Sequence, residues 1–263
     1  MLNSLSGWNY EAPTTWDTEK QVGDDGSTVV VGYNGLPATD FADRLILNLH
    51  GVGTMPAWIG PAEAYYWCDE GRFKSLLDDV CTVSQRVLIE LTFDDGNISD
   101  AAIALAALVD RGLTASFFVC AGRIGQPGYL DSAAMNSMVS AGMVIGSHGW
   151  GHVDWRRVND RTLDTEIDDA RKKIADVVGY EIDKVAIPFG SYDRRVLRRL
   201  RRSRRIRTIY TSDKGRAPLS GWILPRVPYD GSWNRNTLFH LADPPALTTR
   251  IDRSMRRFIK RWR

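Results

Sequence analysis

Asp94 and Asp95 stand side by side where an apolar run, Val87-Leu-Ile-Glu-Leu-Thr-Phe93, gives way to Gly96. Such a run, closed by a turn residue, predicts a buried strand. Two adjacent carboxylates at its end raise each other's pKa and are costly once desolvated, unless a cation sits beside them. Taken alone, the segment also reads as a surface Asp-Asp-Gly turn. Farther along, two of the four histidines, His148 and His152, fall within Ser147-His-Gly-Trp-Gly-His152. The glycines between them favour a loop over a helix, and the window lacks the Glu of a helical His-Glu-x-x-His site. One carboxylate with two imidazoles suits Zn²⁺ or a similar divalent transition ion, and three protein ligands leave a position for water. Lowering the pKa of that water from about 15.7 to about 7 is worth roughly 12 kcal/mol of hydroxide formation. A positioned base contributes only about 10²–10⁴-fold. The ion would therefore generate the nucleophile, and the spare Asp would take its proton.

Those residues need elements that bring them together. Leu45-Ile-Leu-Asn-Leu-His50, Ala115–Cys120, Met143–Gly146, Lys184–Pro188, Ile206–Tyr210 and Trp222–Val227 read as further strands. Helical spacing falls between them at 72–83, 100–111, 131–141, 160–178 and 193–203. Alternation with short connections predicts parallel βαβ units, in a number that suits an α/β barrel of about seven strands. In such barrels the active site lies at the carboxyl ends of the strands. Asp94-Asp95, His148/His152 and Pro188-Phe-Gly190 each follow a predicted strand, so all three would meet at one mouth. Residues 1–43 form an extension with one short strand candidate at Thr28–Tyr33 and no assigned role.

In order and spacing, these residues resemble the polysaccharide deacetylases with a NodB-type domain, carbohydrate esterase family four, over about residues 70–228. Thr92-Phe-Asp-Asp-Gly96 is similar to the family's first motif, which implies Asp94 as catalytic base and Asp95 as metal ligand. Ser147-His-Gly-Trp-Gly-His152 is similar to the second, which adds His148 and His152 as ligands. Pro188-Phe-Gly190 resembles the third, whose backbone N–H after the Pro helps to hold an oxyanion; that role falls on Phe189. The resemblance implies a deformed (β/α)₇ barrel over residues 44–245 and metal-dependent removal of an acetyl group from a sugar. Three departures stand beside it. The arginine that braces the base in the third motif is replaced by Ala186. No fourth motif, Asp-x-x-Asp-Trp, is present. Leu238-Phe-His240 matches the fifth motif as a string, with His240 as general acid, but in a polar setting. Two other readings follow: a catalytically inactive carbohydrate-binding relative, or a deformylase or O-deacetylase on the same scaffold.

The net charge of +2 hides strong segregation. Residues 194–207 hold nine Arg, and residues 250–263 hold seven Lys or Arg with one Asp, so together they carry +15 and the rest −13. Ile251, Met255, Phe258, Ile259 and Trp262 share one helical face with basic residues opposite, so 246–263 reads as a basic amphipathic helix able to lie on an anionic membrane. A terminal helix packed on the barrel fits the same pattern. No nucleic-acid motif accompanies the charge. The N-terminal residues show neither a basic nor an apolar signal region, and Cys68, Cys81 and Cys120 are odd in number and scattered, which points to the cytoplasm. A cytoplasmic deacetylase with basic patches suggests a nucleotide-linked or lipid-pyrophosphate-linked acetylated sugar in a surface-polysaccharide pathway. The ion would be Zn²⁺, or Co²⁺, Ni²⁺ or Mn²⁺.

Overall fold

The computed structural model describes residues 19–22, 28–31, 43–234, 236–243 and 260. β1 (Glu19–Val22) and β2 (Thr28–Val31) pair antiparallel as a separate ribbon. The remaining strands are β3 (Asp43–Leu49), β4 (Leu88–Asp95), β5 (Ala115–Val119), β6 (Val144–Ser147), β7 (Lys184–Ala186), β8 (Thr208–Thr211), β9 (Ala217–Pro218), β10 (Ile223–Pro225) and β11 (Val227–Pro228). They form one sheet in the order β10-β8-β7-β6-β5-β4-β3-β11, every neighbour parallel, with β9 antiparallel on β3. Parallel strands require crossovers. α2 (Glu70–Val83), α3 (Leu105–Val109), α4 (Ser132–Ser140), α6 (Ala170–Val178) and α7 (Arg194–Arg202) lie in them, while α1 (Pro61–Ala64) and α5 (Asp160–Asp164) are single turns.

The sheet bends into a nearly closed barrel of eight strands, in accord with the deformed (β/α) barrel read from the sequence. Its two edges are consecutive in the chain. β10 hydrogen-bonds along β8, β11 pairs with β3, and Arg226 alone stands between them. The seam of the barrel therefore closes on an arginine.

Alternation along each strand decides what faces in. Ile89, Leu91 and Phe93 of β4, with Leu45, Leu47 and Leu49 of β3, join the core under the helices. Phe73, Leu76, Leu77, Val80 and Val83 of α2 meet them there. The opposite phase, Ile46, Phe118, Ala186, Tyr210 and Leu224, forms a smaller interior cluster. Glu90, Thr92 and Asp94 share that inner phase, and their polar atoms are satisfied one level at a time. Glu90 accepts from Tyr210 (2.7 Å) and meets Arg44 (3.0 Å); Thr92 and Asp94 meet Arg226 above it. Two helices expected to be regular each contain a π-helical turn, at Asp100–Ala104 before α3 and at Thr165–Asp169 between α5 and α6. Each turn carries a buried carboxylate, Asp100 or Glu166. Such bulges re-aim side chains and recur at functional sites.

Of the C-terminal segment 246–263, only Lys260 lies among the described residues. Its Nζ is 2.5 Å from Asp213 Oδ1 and 3.5 Å from the Gly190 carbonyl, so this lysine faces the barrel beside the Pro188–Gly190 loop. The Arg run of α7 is also largely engaged. Arg195 pairs with Asp160 and caps the Trp155 and Val158 carbonyls, Arg199 pairs with Asp164 and Asp168, and Arg201 covers the Trp222 ring.

Candidate metal centre

β4 delivers both carboxylates to the mouth, although strict alternation would send adjacent side chains to opposite faces. The left-handed φ of 80° at Asp95 breaks the alternation. His152 (φ 54°) and Phe189 (φ 58°) share that strained region, so three of the four non-glycine residues with positive φ among the described residues belong to the predicted site. Strain of this kind costs on the order of 1–3 kcal/mol per residue and persists only where the surroundings enforce it.

Asp95 Oδ1 lies 3.4 Å from His152 Nε2 and 3.8 Å from His148 Nε2. That oxygen is buried and has no hydrogen-bond partner. His148 Nδ1 lies 2.9 Å from the Ala186 carbonyl, so it carries the proton and turns an unprotonated Nε2 toward Asp95. Four-coordinate zinc at about 2.0–2.2 Å from each ligand sets neighbouring ligand atoms roughly 3.3–3.5 Å apart. The orphaned oxygen and the fixed tautomer fit one divalent cation held by Asp95, His148 and His152, whose ligand atoms all lie within 4.8 Å of one another.

The loop that carries the two histidines hangs on Glu166. Its carboxylate accepts from the Trp150 N–H (2.9 Å), the Gly151 N–H (2.9 Å) and the Trp155 indole (3.1 Å). Gly149 (φ 85°) lets the chain pass, because a Cβ there would stand 2.4 Å from Glu166 Oε2. Glu166→Ala would leave the Trp150 and Gly151 N–H groups and the buried Trp155 indole without their acceptor and free the loop. Metal affinity should fall about 10–100-fold, the usual range for groups that orient ligands, as read by zinc competition at unchanged secondary structure.

Asp94 is set differently. Arg226 grips it with two parallel bonds, Nη1 to Oδ1 and Nη2 to Oδ2, each 2.7 Å. Asn48 donates to Oδ2 at 2.9 Å, and Arg226 also donates to Asn48 Oδ1 at 2.9 Å. The guanidinium is fully buried over the Phe118 and Tyr210 rings, which pack with the small Ala186. The bracing arginine missing at 186 is thus supplied from the barrel seam. Burial alone would push the Asp94 carboxyl up; Arg226 and then His148 outweigh it and hold it well below the usual carboxylate range. Asp100 is the counterpoint. Both of its oxygens are buried without a partner, and burial with repulsion from Asp95 and Asp94 pushes its carboxyl well above the usual range.

Burial pushes His148 down to about 4, against the attraction of Asp94. Its unfolded imidazole binds a proton below about pH 6.5, whereas the folded one resists until about pH 4. Between those values the unfolded state holds more protons, so stability rises with pH across that window. The ion-free protein should lose about 3 kcal/mol from this residue between pH 6.5 and 4. A shallower pH dependence of denaturant midpoints in His148→Gln checks it.

His50 closes β3 beside Asp94, since Leu49 and Phe93 are register partners. Its ring lies 5.1 Å from that of Tyr66, tilted by 32°, and its Nδ1 is buried without a hydrogen-bond partner. Phe189 stacks on His152 at 4.5 Å, and its N–H has no acceptor among the described residues. His240 does not join this group. It is exposed on α8 (Thr237–Ala242), a six-residue helix that packs on α2 outside the barrel. The Leu-x-His string there falls on a helix rather than at the end of an apolar strand.

The sequence of residues 83–204 matches the family model for polysaccharide deacetylase. No curated protein matches the chain. Among solved structures, the Streptococcus pyogenes deacetylase PplD, in complex with acetate, is similar at TM-score 0.66 and 21% identity, covering 77% of this chain and 99% of that one. A Bacillus cereus polysaccharide deacetylase is similar at TM-score 0.68 and 16% identity, over 84% of this chain and 75% of its own. IcaB from Ammonifex degensii follows at 0.63 and 18%, over 77% and 98%. At these identities the likeness carries the fold alone. Asn48, His50 and Arg226 lie outside the matched segment, and Asp94, Asp95, His148, His152 and Phe189 lie inside it. Over residues 83–204, the chain is similar to the polysaccharide deacetylase family.

Proposed function

We propose that this protein is a metal-dependent hydrolase that removes the acetyl group from an amide nitrogen on a sugar or glycan. The observation that carries the reading is the juxtaposition at His148, whose Nε2 is 3.8 Å from Asp95 Oδ1 and 3.8 Å from Asp94 Oδ2. One carboxylate is left open toward two imidazoles, and the next is braced by Arg226 and Asn48 in its ionised form. A divalent ion on Asp95, His148 and His152 would polarise the acyl carbonyl and acidify the attacking water. Asp94 accepts the proton that water releases. The Phe189 N–H meets the oxyanion as it develops. His50, rather than His240, gives a proton to the departing amine, so that the carbon–nitrogen bond breaks to yield acetate and a free amino sugar. Zinc is the first candidate, with Co²⁺, Ni²⁺ or Mn²⁺ as substitutes at the same ligands.

The arginine brace supports an active enzyme over an inactive sugar-binding relative, because it fills the gap at Ala186; the absent fourth motif is the departure on which that alternative still rests. Purified protein with Zn²⁺ or Co²⁺ should release acetate from acetylated oligosaccharides, and chelation should stop it. Release of formate instead would assign a deformylase, and no acid from a broad panel at full metal occupancy would leave the binding module. The same reading includes a cytoplasmic role in surface-polysaccharide biosynthesis on a nucleotide-linked or lipid-pyrophosphate-linked sugar. It also includes contact between segment 246–263 and an anionic membrane. No helix of the described residues is long and apolar enough to cross one. Full-length protein should sediment with anionic vesicles at low salt; equal recovery with neutral vesicles would remove the membrane contact.

A further inference from the structure

The catalytic reading leaves one cation at the mouth unused. Arg123 ends the short turn Ala121–Arg123 that follows β5. Its Nη1 is 3.5 Å from Asp95 Oδ1, yet that oxygen receives no hydrogen bond. One face of the guanidinium lies 4.9 Å from the Tyr129 ring centroid, and the side chain is 21% exposed. Among the described residues no acceptor takes its donors. Arg226 is the opposite case, fully buried with both ends of its fork on Asp94. A guanidinium presents five N–H donors in a plane that matches a carboxylate or phosphate.

Asp95 is the carboxylate nearest to Arg123, and it cannot serve two cations at once. With Asp95 given to a metal, Arg123 faces a divalent charge of its own sign. Asp94 offers no relief, because it is committed to Arg226. The mouth is then left with excess positive charge and an unused bidentate fork. Resting on the deacetylase reading, we infer that Arg123 recognises an anionic oxygen group, carboxylate or phosphate, on the acylated sugar. The neighbouring surface suits a sugar ring. Trp58, 61% exposed, packs on Gly128, the chain neighbour of the Tyr129 whose ring meets the guanidinium.

The test compares Arg123→Gln and Arg123→Lys with the natural chain on three substrates: a neutral acetylated chito-oligosaccharide, one bearing a uronate, and one bearing a phosphate. The ratio of kcat/KM for the anionic over the neutral substrate should fall at least about tenfold in Arg123→Gln, the scale of a charge-assisted hydrogen bond. Arg123→Lys should keep part of it. The anionic substrate preferred by the natural chain distinguishes carboxylate from phosphate. Calorimetric titration of ion-free protein should give zinc binding up to about fivefold tighter in Arg123→Gln, because a partly exposed competing cation has gone. An unchanged substrate ratio overturns the inference. So does weaker zinc binding in Arg123→Gln, which would make the arginine a support for the metal site. Should no acetylated sugar be hydrolysed, the deacetylase reading fails by itself. Titration of acetate and inorganic phosphate into zinc-loaded protein then decides: affinity lost in Arg123→Gln keeps the anion site, and equal affinity removes it.

Discussion

Asp94→Asn is expected to lower kcat for acetyl release by about 10²–10⁴-fold, the contribution of a positioned base. It should also destabilise the protein by about 3–5 kcal/mol, because it leaves the fully buried Arg226 guanidinium without its counter-charge. The two losses are separable. In Asp94→Asn/Arg226→Met the buried charge is gone as well, so denaturation should return most of the stability while activity stays lost. A double mutant that recovers activity would show that Asp94 is structural. A double mutant no more stable than Asp94→Asn would show that the pair is not coupled.

Arg226→Met alone is the second large effect. Burial is the largest influence on Asp94 and pushes its carboxyl up; Arg226 is what reverses the sign. In the natural chain the depressed pKa contributes stability that is present above about pH 4 and lost as the pH falls. Without the guanidinium the carboxyl's pKa rises, so less of the base is ionised at a given pH. Activity at pH 7 should fall by at least about tenfold and recover as the pH is raised, moving the acid limb of kcat/KM upward. Stability should drop by about 3–5 kcal/mol at neutral pH and less in acid, where the unpaired carboxyl is neutral. A pH–rate profile with an unmoved acid limb would remove Arg226 from the control of Asp94.

These two residues also mark how much is legible in the sequence. Asp94, Asp95, His148 and His152 can be picked out because ligand chemistry restricts residue type, and a parallel barrel puts strand ends together whatever their separation. The barrel itself follows from alternating helix and strand periods. Arg226 is harder, because its role depends on barrel closure, which joins β10 to β8 and β11 to β3 across the whole chain. A signal does exist: Arg226 sits between Pro225 and Val227 in an apolar strand, and Asn48 interrupts Leu45-Ile-Leu-Asn-Leu49 in the same way. A polar residue inside a core strand implies a buried partner, although not which one. Glu166 is hidden for another reason. Helical periodicity over 160–178 predicts a continuous amphipathic helix, and only the π-helical turn at Thr165–Asp169 aims the carboxylate at the histidine loop. His240 fails because a three-residue string carries no information on the element that bears it.

One divalent cation should be shared by Asp95, His148 and His152 while Asp94 stays outside its ligand shell. Anomalous diffraction from crystals soaked in zinc tests it most directly. A single peak is predicted at about 2.0–2.2 Å from Asp95 Oδ1 and both Nε2 atoms, with Asp94 still on Arg226. A peak elsewhere, an ion ligated by Asp94 in place of Asp95, or no peak at saturating zinc would contradict it.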